Sequence, residues 1–340
     1  METPVQQVDA AEAHSGAAER QKPSRRAWGD GGQKDLLIGE YRLADDPVID
    51  GDTIRVEGID GSLRLLSLDT EERFYGEADP VAASKDFEGY LRAKRARAAR
   101  PKKFGTPMGE EAARFAEAFF EGAEVVQLER DDPKEIRGNQ GRLLAYAFVR
   151  KGGRRTNYSI ECVRAGMSPY FTKYGYSRRF HDELTRAEAE AREAKRGIWS
   201  PSAKGYGDYD ERKPWWDARA DFIRAFEDEA RRRDDFIMLS HSDALERLEE
   251  KVGKAVTVLS TVDDIDHFKG LVRVSLTAQD RQRLPVIFFD RRVFRASGIE
   301  GFKGEPVTVS GTVERYKKGG YRTLQIVASE SGQVGLPSLP

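Results

Sequence analysis

The chain has 340 residues, a length that favours two domains with room for a third small unit. Its 57 lysines and arginines nearly balance its 58 aspartates and glutamates, so whole-chain charge predicts no polyanionic partner and any such signal must be local. A single cysteine, Cys162, excludes an intrachain disulfide framework, and four scattered histidines lack the spacing of a zinc site. Without a recognisable signal peptide or a membrane-length apolar run, we expect a soluble, cytoplasmic protein with no membrane partner.

The N-terminal part of the chain predicts a tail followed by short strands. Residues 1–34 are polar and rich in Ala, Gly and Glu, a composition typical of disorder. Short β-rich runs follow at 36–57 and 62–69, with hairpin turns between them. A polar insertion follows Glu72, and its second half, residues 92–103, holds seven basic residues and no acidic one.

Helices and strands alternate from there to about residue 200. Thr106 followed by Pro107 predicts a helix that begins with a cap and a first-turn proline and stops near Gly122. Four further elements are predicted from hydrophobic periodicity, namely strands at 123–129 and 141–149 and helices at 157–165 and 178–197.

The C-terminal part of the chain predicts a second domain. Residues 215–251 have the pattern of a highly charged helix, and five β-rich runs with a short helical piece near 290–296 follow. Such strands favour a small closed barrel of the OB type. The predicted organisation is therefore a tail, a β-barrel with helices over 35–200, a charged helical linker over 201–252, a second barrel over 253–332 and a tail over 333–340.

The stretch VIDGDTIRV, residues 48–56, places two carboxylates inside a run of β-branched residues. In an extended chain Asp50 and Asp52 project to the same side, and neighbouring carboxylates repel unless a cation lies near them. Oxygen ligands on short side chains suit Ca²⁺ or Mg²⁺. Taken alone, however, the sequence Asp-Gly-Asp favours a β-turn.

Two arginines on β-rich runs strengthen the metal interpretation. Arg64 shares a strand face with leucines in LRLLSLD, and Arg142 alternates with apolar residues in GRLLAYAFV. A guanidinium in such a place is costly unless it is paired, and arginine forks match phosphate oxygens. Two arginines beside several carboxylates therefore indicate a phosphate clamp around a metal. A bend is required between Arg64 and Asp69, because five residues of regular strand would point them oppositely.

These motifs, in order, resemble the staphylococcal nuclease (thermonuclease) family over about residues 36–200. The resemblance rests on the stretches VIDGDTIRV, LRLLSLDTEE, GRLLAYAFV, NYSIECVRAGM and AEAEAREAKRGIW. It implies a mixed α+β fold, mainly β, in which a five-stranded OB-type barrel carries three helices. It also implies a Ca²⁺-dependent phosphodiesterase that acts on DNA or RNA and leaves 3′-phosphate ends.

The resemblance carries roles to particular residues. It implies metal ligation by the carboxylates of Asp52 and Asp69 and by the main-chain carbonyl of Thr70, with Asp50 as a supporting carboxylate. It further implies the remaining roles at the reacting phosphate: Glu72 as general base for the attacking water, and Arg64 and Arg142 as the arginines that hold the phosphate.

The chain departs from the family pattern at two positions. Glu71 replaces a proline before the expected base, which adds a negative charge beside the expected metal. Gln140 replaces a tyrosine before Arg142 and so lacks a ring for nucleotide packing, a role that Tyr174 could take.

Further nucleic-acid contacts are predicted from local basic character. The run 92–103 falls where the family has a loop beside the active site, and its expected contacts are Arg95, Arg97, Lys102 and Lys103. Basic and aromatic residues in the second barrel favour a binding module, since no comparable acidic constellation is present there. Two alternatives stay open: a nuclease-like barrel that binds DNA or RNA without cutting it, and a scaffold for protein partners.

Overall fold

The computed structural model describes residues 35–96, 104–138 and 141–340. The predicted tail at 1–34 lies outside these ranges, as do Arg97, Lys102, Lys103 and Gln140. The description that follows concerns only the described ranges.

The first domain is a closed barrel built from short strands. Its strands are β1 (Leu37–Asp50), β2 (Thr53–Val56), β3 (Leu63–Leu65), β4 (Val125–Glu129), β5 (Leu143–Lys151) and β6 (Arg154–Asn157). Hydrogen-bonded neighbours follow the order β3-β2-β1-β4-β5-β6, and a parallel pairing of β3 with β5 closes five of them into a barrel. Because the barrel is closed, the backbone of β3 is hydrogen-bonded on both sides, to β2 and to β5.

Helices cover this barrel. They are α1 (Ala78–Lys85), α2 (Phe87–Ala96), α3 (Pro107–Phe120), α4 (Tyr158–Arg164) and α5 (His181–Glu193). The predicted start of α3 is confirmed, because the Thr106 side chain accepts a hydrogen bond from the Gly109 N–H at 3.1 Å. The predicted helix to Gly197 ends earlier, at Glu193, because Lys195 adopts a left-handed backbone with φ of 53°.

The barrel interior and the inner faces of α3, α4 and α5 form one apolar core. It contains Ile54, Leu65 and Val126 from the strands and Ala116 and Leu184 from the helices, all 1% exposed or less. Cys162 is also fully buried in this core, as its predicted filling role requires.

The segment between the barrels is only partly helical. It contains α6 (Tyr209–Ala230), then β7 (Phe236–Met238) and α7 (Ala244–Glu250). The single charged helix predicted for 215–251 was therefore wrong in its second half. The three consecutive apolar residues at 236–238 form a short strand, and β7 pairs in parallel with the first strand of the second barrel.

The second domain repeats the topology of the first. It consists of β8 (Ala255–Phe268), β9 (Leu271–Thr277), β10 (Arg283–Phe288), α8 (Arg291–Ser297), β11 (Pro306–Lys318), β12 (Tyr321–Val327) and β13 (Val334–Gly335). Its strands pair as β8-β9-β10-β12-β11, and β11 pairs back with β8. In both barrels the third strand pairs in parallel with the fifth. The predicted α+β class with a five-stranded OB-type barrel is confirmed.

Within the described ranges, every helix is too short or too polar for a bilayer span.

Candidate functional site

The two aspartates of VIDGDTIRV lie at the tip of the β1–β2 hairpin. Asp50 pairs with Thr53, so Gly51 and Asp52 form the turn between the strands. The β-turn predicted for Asp-Gly-Asp is therefore present, and it carries the two carboxylates of the candidate site. The Asp52 N–H donates to Asp50 Oδ1 at 2.9 Å, which places Asp50 behind the loop as a support. Asp52 itself is only 2% exposed.

Gly51 makes this hairpin tip fit against its neighbours. A Cβ at Gly51 would lie 2.7 Å from Cγ2 of Thr70 and 2.8 Å from the Cβ of Ala112. Its carbonyl accepts a hydrogen bond from the buried Tyr158 hydroxyl at 2.7 Å. The close approach brings the loop that carries Asp52 onto the segment that carries Thr70.

Arg64 joins two carboxylates. Its Nη1 donates to Oδ1 of Asp52, and its Nη2 lies 3.1 Å from Oδ1 of Asp69. Burial opposes the charge of this guanidinium, but the three nearby carboxylates of Asp52, Asp69 and Asp50 outweigh that penalty and raise the pKa of Arg64. The arginine that the sequence placed on a leucine-rich strand is thus paired, as its burial demands.

The bend required between Arg64 and Asp69 is present. Strand β3 ends at Leu65, and Ser67 takes a left-handed backbone with φ of 65°. The chain then turns back, so that Arg64 Nη2 also donates to the Leu68 carbonyl at 2.8 Å. This turn converts a five-residue separation into a shared site.

Arg142 lies near the carboxylates that Arg64 joins. In the parallel pairing of β3 and β5, Arg64 is opposite Leu144, and Arg142 directly precedes β5, two residues before Leu144. Arg142 Nη1 lies 3.5 Å from Thr53 Oγ1, whose hydroxyl donates to Asp52 Oδ1 at 3.0 Å. The two predicted phosphate-binding arginines therefore flank Asp52.

Thr70 and Glu72 follow Asp69 along one extended segment. The Thr70 N–H donates to Oδ2 of Asp52 at 3.0 Å, while the Asp69 N–H donates to the Ser168 hydroxyl at 2.9 Å. Glu72 is half-buried, and its carbonyl accepts from the Thr106 N–H at 3.1 Å. The N-terminus of α3 thus holds the segment from Asp69 to Glu72 in place.

The side chain of Glu71 is buried. Its Oε1 accepts from the Tyr206 N–H and from the Tyr209 hydroxyl, each at 2.8 Å, and its Oε2 accepts from the Thr106 hydroxyl. Burial raises the pKa of Glu71, and these hydrogen bonds oppose the shift. These partners belong to the start of α3 and to the chain that leaves the first domain, so the Glu71 side chain fastens that chain.

That departing chain packs beside the expected base. The Tyr206 hydroxyl donates to the Phe104 carbonyl at 2.9 Å and lies 3.5 Å from the Glu72 nitrogen. Tyr206 and Tyr209 belong to a small apolar cluster with Met108 of α3. The sequence offered one signal for this contact, the aromatic and glycine-rich stretch KGYGDY, residues 204–209.

The donor chemistry of the site fits a hard divalent cation. Asp52 and Asp69 both direct a carboxylate oxygen at one cationic group, the Arg64 guanidinium. Across the described ranges, no three carboxylate, imidazole or thiol side chains come together in a way that could hold a metal ion. Two carboxylates plus main-chain and water oxygens make a ligand set that Ca²⁺ and Mg²⁺ accept.

Of the residues predicted to contact nucleic acid, Arg95 and Tyr174 lie within the described ranges. Arg95, in α2, donates through Nη2 to the Tyr206 carbonyl. Tyr174 is 64% exposed on the loop after α4. In the second barrel Phe288 and Phe294 are core residues, whereas Phe289 is 62% exposed.

Two sequence comparisons found proteins similar to this chain. Residues 92–201 match the family model described as "Staphylococcal nuclease homologue". An uncharacterized protein of Bacillus anthracis is 32% identical over 161 residues, which cover 47% of this chain and 60% of that relative. This chain thus spans less than two thirds of the relative's length. The predicted resemblance to staphylococcal nuclease is confirmed, since the five-stranded barrel also fits the fold of that family.

The matched segment includes Arg142 but begins after Asp52, Arg64 and Glu72. A domain of this family indicates a nuclease-type or nucleic-acid-binding function. The roles of the residues before position 92 rest on the motifs and on the contacts given above.

Proposed function

We propose that this protein is a metal-dependent nuclease that hydrolyses phosphodiester bonds in DNA or RNA and leaves 3′-phosphate ends. One observation carries the proposal: Arg64 bridges Asp52 and Asp69, and Arg142 reaches the same place through Thr53. A barrel that only binds nucleic acid has no need of buried carboxylates, which repel phosphate.

Asp52 and Asp69 would hold the cation, with the Thr70 carbonyl as a third ligand. Ca²⁺ is the cation that the family resemblance implies, and it would supply positive charge that offsets the charge of the phosphate in the transition state. The Asp50 carboxylate keeps the Asp52 loop in place through the Asp52 N–H. Asp52 is also held by the Thr53 hydroxyl and the Thr70 N–H, so its carboxylate is oriented before any ligand arrives.

Arg64 and Arg142 hold the phosphate. The fork of Arg64 is bonded to two carboxylates, and a cation bound there would release it to donate to phosphate oxygens. Arg142 directly precedes β5, the strand that pairs with β3, so the two guanidinium groups can contact different oxygens of one phosphate.

Glu72 accepts the proton of the attacking water. Its segment is anchored on both sides, by the Thr106 N–H at its carbonyl and by the buried Glu71 carboxylate next to it. In-line attack on phosphorus expels the 5′ oxygen, which leaves the phosphate on the 3′ oxygen. The second barrel assists by binding the nucleic acid.

The test is a cleavage assay on single- and double-stranded DNA and RNA, with Ca²⁺ or with chelator. We expect cleavage in Ca²⁺, 3′-phosphate product ends, and loss of both in an Arg64→Ala, Glu72→Ala double variant. Circular dichroism of the variant shows whether it is folded. Binding without cleavage at every divalent concentration would indicate a non-catalytic nucleic-acid-binding protein, and the absence of binding would favour a scaffold.

A further inference from the structure

A groove lies between the two barrels. Its volume is about 520 Å³. One wall carries Lys173 and Tyr174 of the first domain, and the other carries Arg281, Arg283 and Lys303 of the second. The groove therefore belongs to neither barrel alone.

The walls of this groove have an excess of positive charge. Arg283 forms an ion pair with Asp263, and Lys303 pairs with Asp264 at 2.6 Å. Among the described residues that line the groove, four are cationic and one, Asp263, is acidic, so the lining carries a net positive charge. A basic groove is the feature with which proteins follow a phosphate backbone.

Tyr174 adds an aromatic surface to the same groove. Its ring is 64% exposed, meets the ring of Phe171 edge-on at 5.8 Å between centroids, and lies 5.6 Å from Lys173 Nζ. An exposed ring beside cations suits stacking on an unpaired base, which a double helix does not present. The combination favours a single strand over a duplex.

Both walls are attached to the candidate site. The Phe171 N–H donates at 3.1 Å to the carbonyl of Ser67, in the turn between Arg64 and Asp69. On the other wall, Arg281 Nε lies 3.1 Å from the position that a Cβ would occupy at Gly141. Gly141 directly precedes Arg142 in the chain. A strand held at the site can therefore continue into the groove.

We propose that this groove binds single-stranded nucleic acid next to the cleaved phosphodiester, with phosphates on Lys173 and Arg281 and a base on Tyr174. The position of the cleaved bond rests on the proposed function, but binding in the groove can be measured without cleavage. The groove would make the enzyme prefer substrates with unpaired nucleotides beside the cut.

The test measures binding of fluorescein-labelled oligothymidylates of about 4 and about 12 nucleotides to the full chain in chelator, by anisotropy over a range of salt. The groove variant is Lys173→Gln, Arg281→Asn, in which asparagine tolerates the left-handed backbone of Arg281, φ 60°. A charge-matched control is Arg231→Gln, Arg232→Asn, whose side chains are about two-thirds exposed near the end of α6.

For the longer oligonucleotide, we expect the groove variant to lower the slope of log K against log salt by about 1.4, or about 0.7 for each lost phosphate contact. The control should retain the wild-type slope. Tyr174→Ala should weaken binding of the longer oligonucleotide by about 5- to 100-fold, while Tyr174→Phe retains it because the ring remains. Thermal unfolding of each variant checks that it is folded.

The outcomes separate this proposal from the proposed function. Binding that depends on the groove, in a protein that cleaves nothing, supports the groove and contradicts the nuclease. The opposite result is also possible: the protein cleaves nucleic acid, but the groove variant and Tyr174→Ala bind the longer oligonucleotide as tightly as the control does. That result overturns the groove proposal and leaves the proposed nuclease function intact. A wild-type protein that binds neither oligonucleotide also overturns the groove.

Discussion

Glu71 provides a sharp test of how the first domain is joined to the chain that follows it. Its carboxylate accepts hydrogen bonds from the Thr106 hydroxyl, the Tyr206 N–H and the Tyr209 hydroxyl, and the side chain is buried. Glu71→Ala leaves three buried donors without this acceptor. Each unsatisfied buried donor costs about 1–3 kcal/mol, but removing a buried carboxylate also removes its desolvation penalty. We therefore expect the free energy of unfolding to fall by about 2–4 kcal/mol.

Glu71→Gln should be milder. An amide oxygen in the place of Oε1 still accepts from Tyr206 and Tyr209, so we expect a loss of about 1 kcal/mol at neutral pH. Urea denaturation followed by tryptophan fluorescence measures the free energy of unfolding of each variant. The control is Glu250→Ala, an exposed position near the end of α7, for which a change below about 0.5 kcal/mol is expected.

The difference in stability between the wild type and Glu71→Gln should depend on pH. Because burial raises the pKa of Glu71 above 4.5 in the folded state, the folded protein holds this proton to higher pH than the unfolded chain does. The stability that Glu71 contributes is therefore fully present below about pH 4.5 and falls as pH rises toward the raised pKa. The wild type should lose stability relative to Glu71→Gln over that range. A Glu71→Ala protein as stable as the control, or a difference from Glu71→Gln that rises with pH, would refute this account.

Two further predictions concern Gly109, which contacts Glu72, and Arg64. Gly109→Ala should lower the free energy of unfolding by about 3 kcal/mol, because its Cβ would lie 1.9 Å from the Glu72 carbonyl oxygen. Gly301→Ala, whose Cβ meets nothing within 4 Å, should change it little, and equal thermal melts of the two variants would contradict the expected close contact. Arg64→Ala should destabilise the metal-free protein by about 3 kcal/mol, because Asp52 and Asp69 lose the guanidinium that pairs with both carboxylates. Ca²⁺ should restore more stability to this variant than to wild type in calorimetry, and an equal lack of response in both would count against the proposed metal site.

The barrels were predictable because their strands carry strong local patterns. Alternating apolar residues, turn glycines and the Thr106–Pro107 start of α3 all agree with the tertiary structure. Strand β7 was missed because its three residues are too few for a period of two to stand out beside a long charged helix.

The carboxylate–arginine cluster was predictable for a different reason. Buried charges need partners, so charged residues on apolar strands imply one another even when they are distant in the chain. The turn at Ser67 was inferred only as a necessity, since a serine with positive φ has no clear sequence signal. The role of Glu71 could not be predicted, because its partners Tyr206 and Tyr209 lie about 135 residues further along the chain.

The most direct test of the proposed function compares the wild type with Glu72→Gln, which keeps the size of the side chain but cannot accept a proton. Single-turnover cleavage of a labelled oligonucleotide in Ca²⁺ is measured beside binding of the same oligonucleotide in chelator. We predict Ca²⁺-dependent cleavage by the wild type, a rate about 10²- to 10⁴-fold lower in Glu72→Gln, and equal binding by both. Equal cleavage rates in the two proteins, or cleavage that persists in chelator, would contradict the proposed roles of Glu72 and the metal.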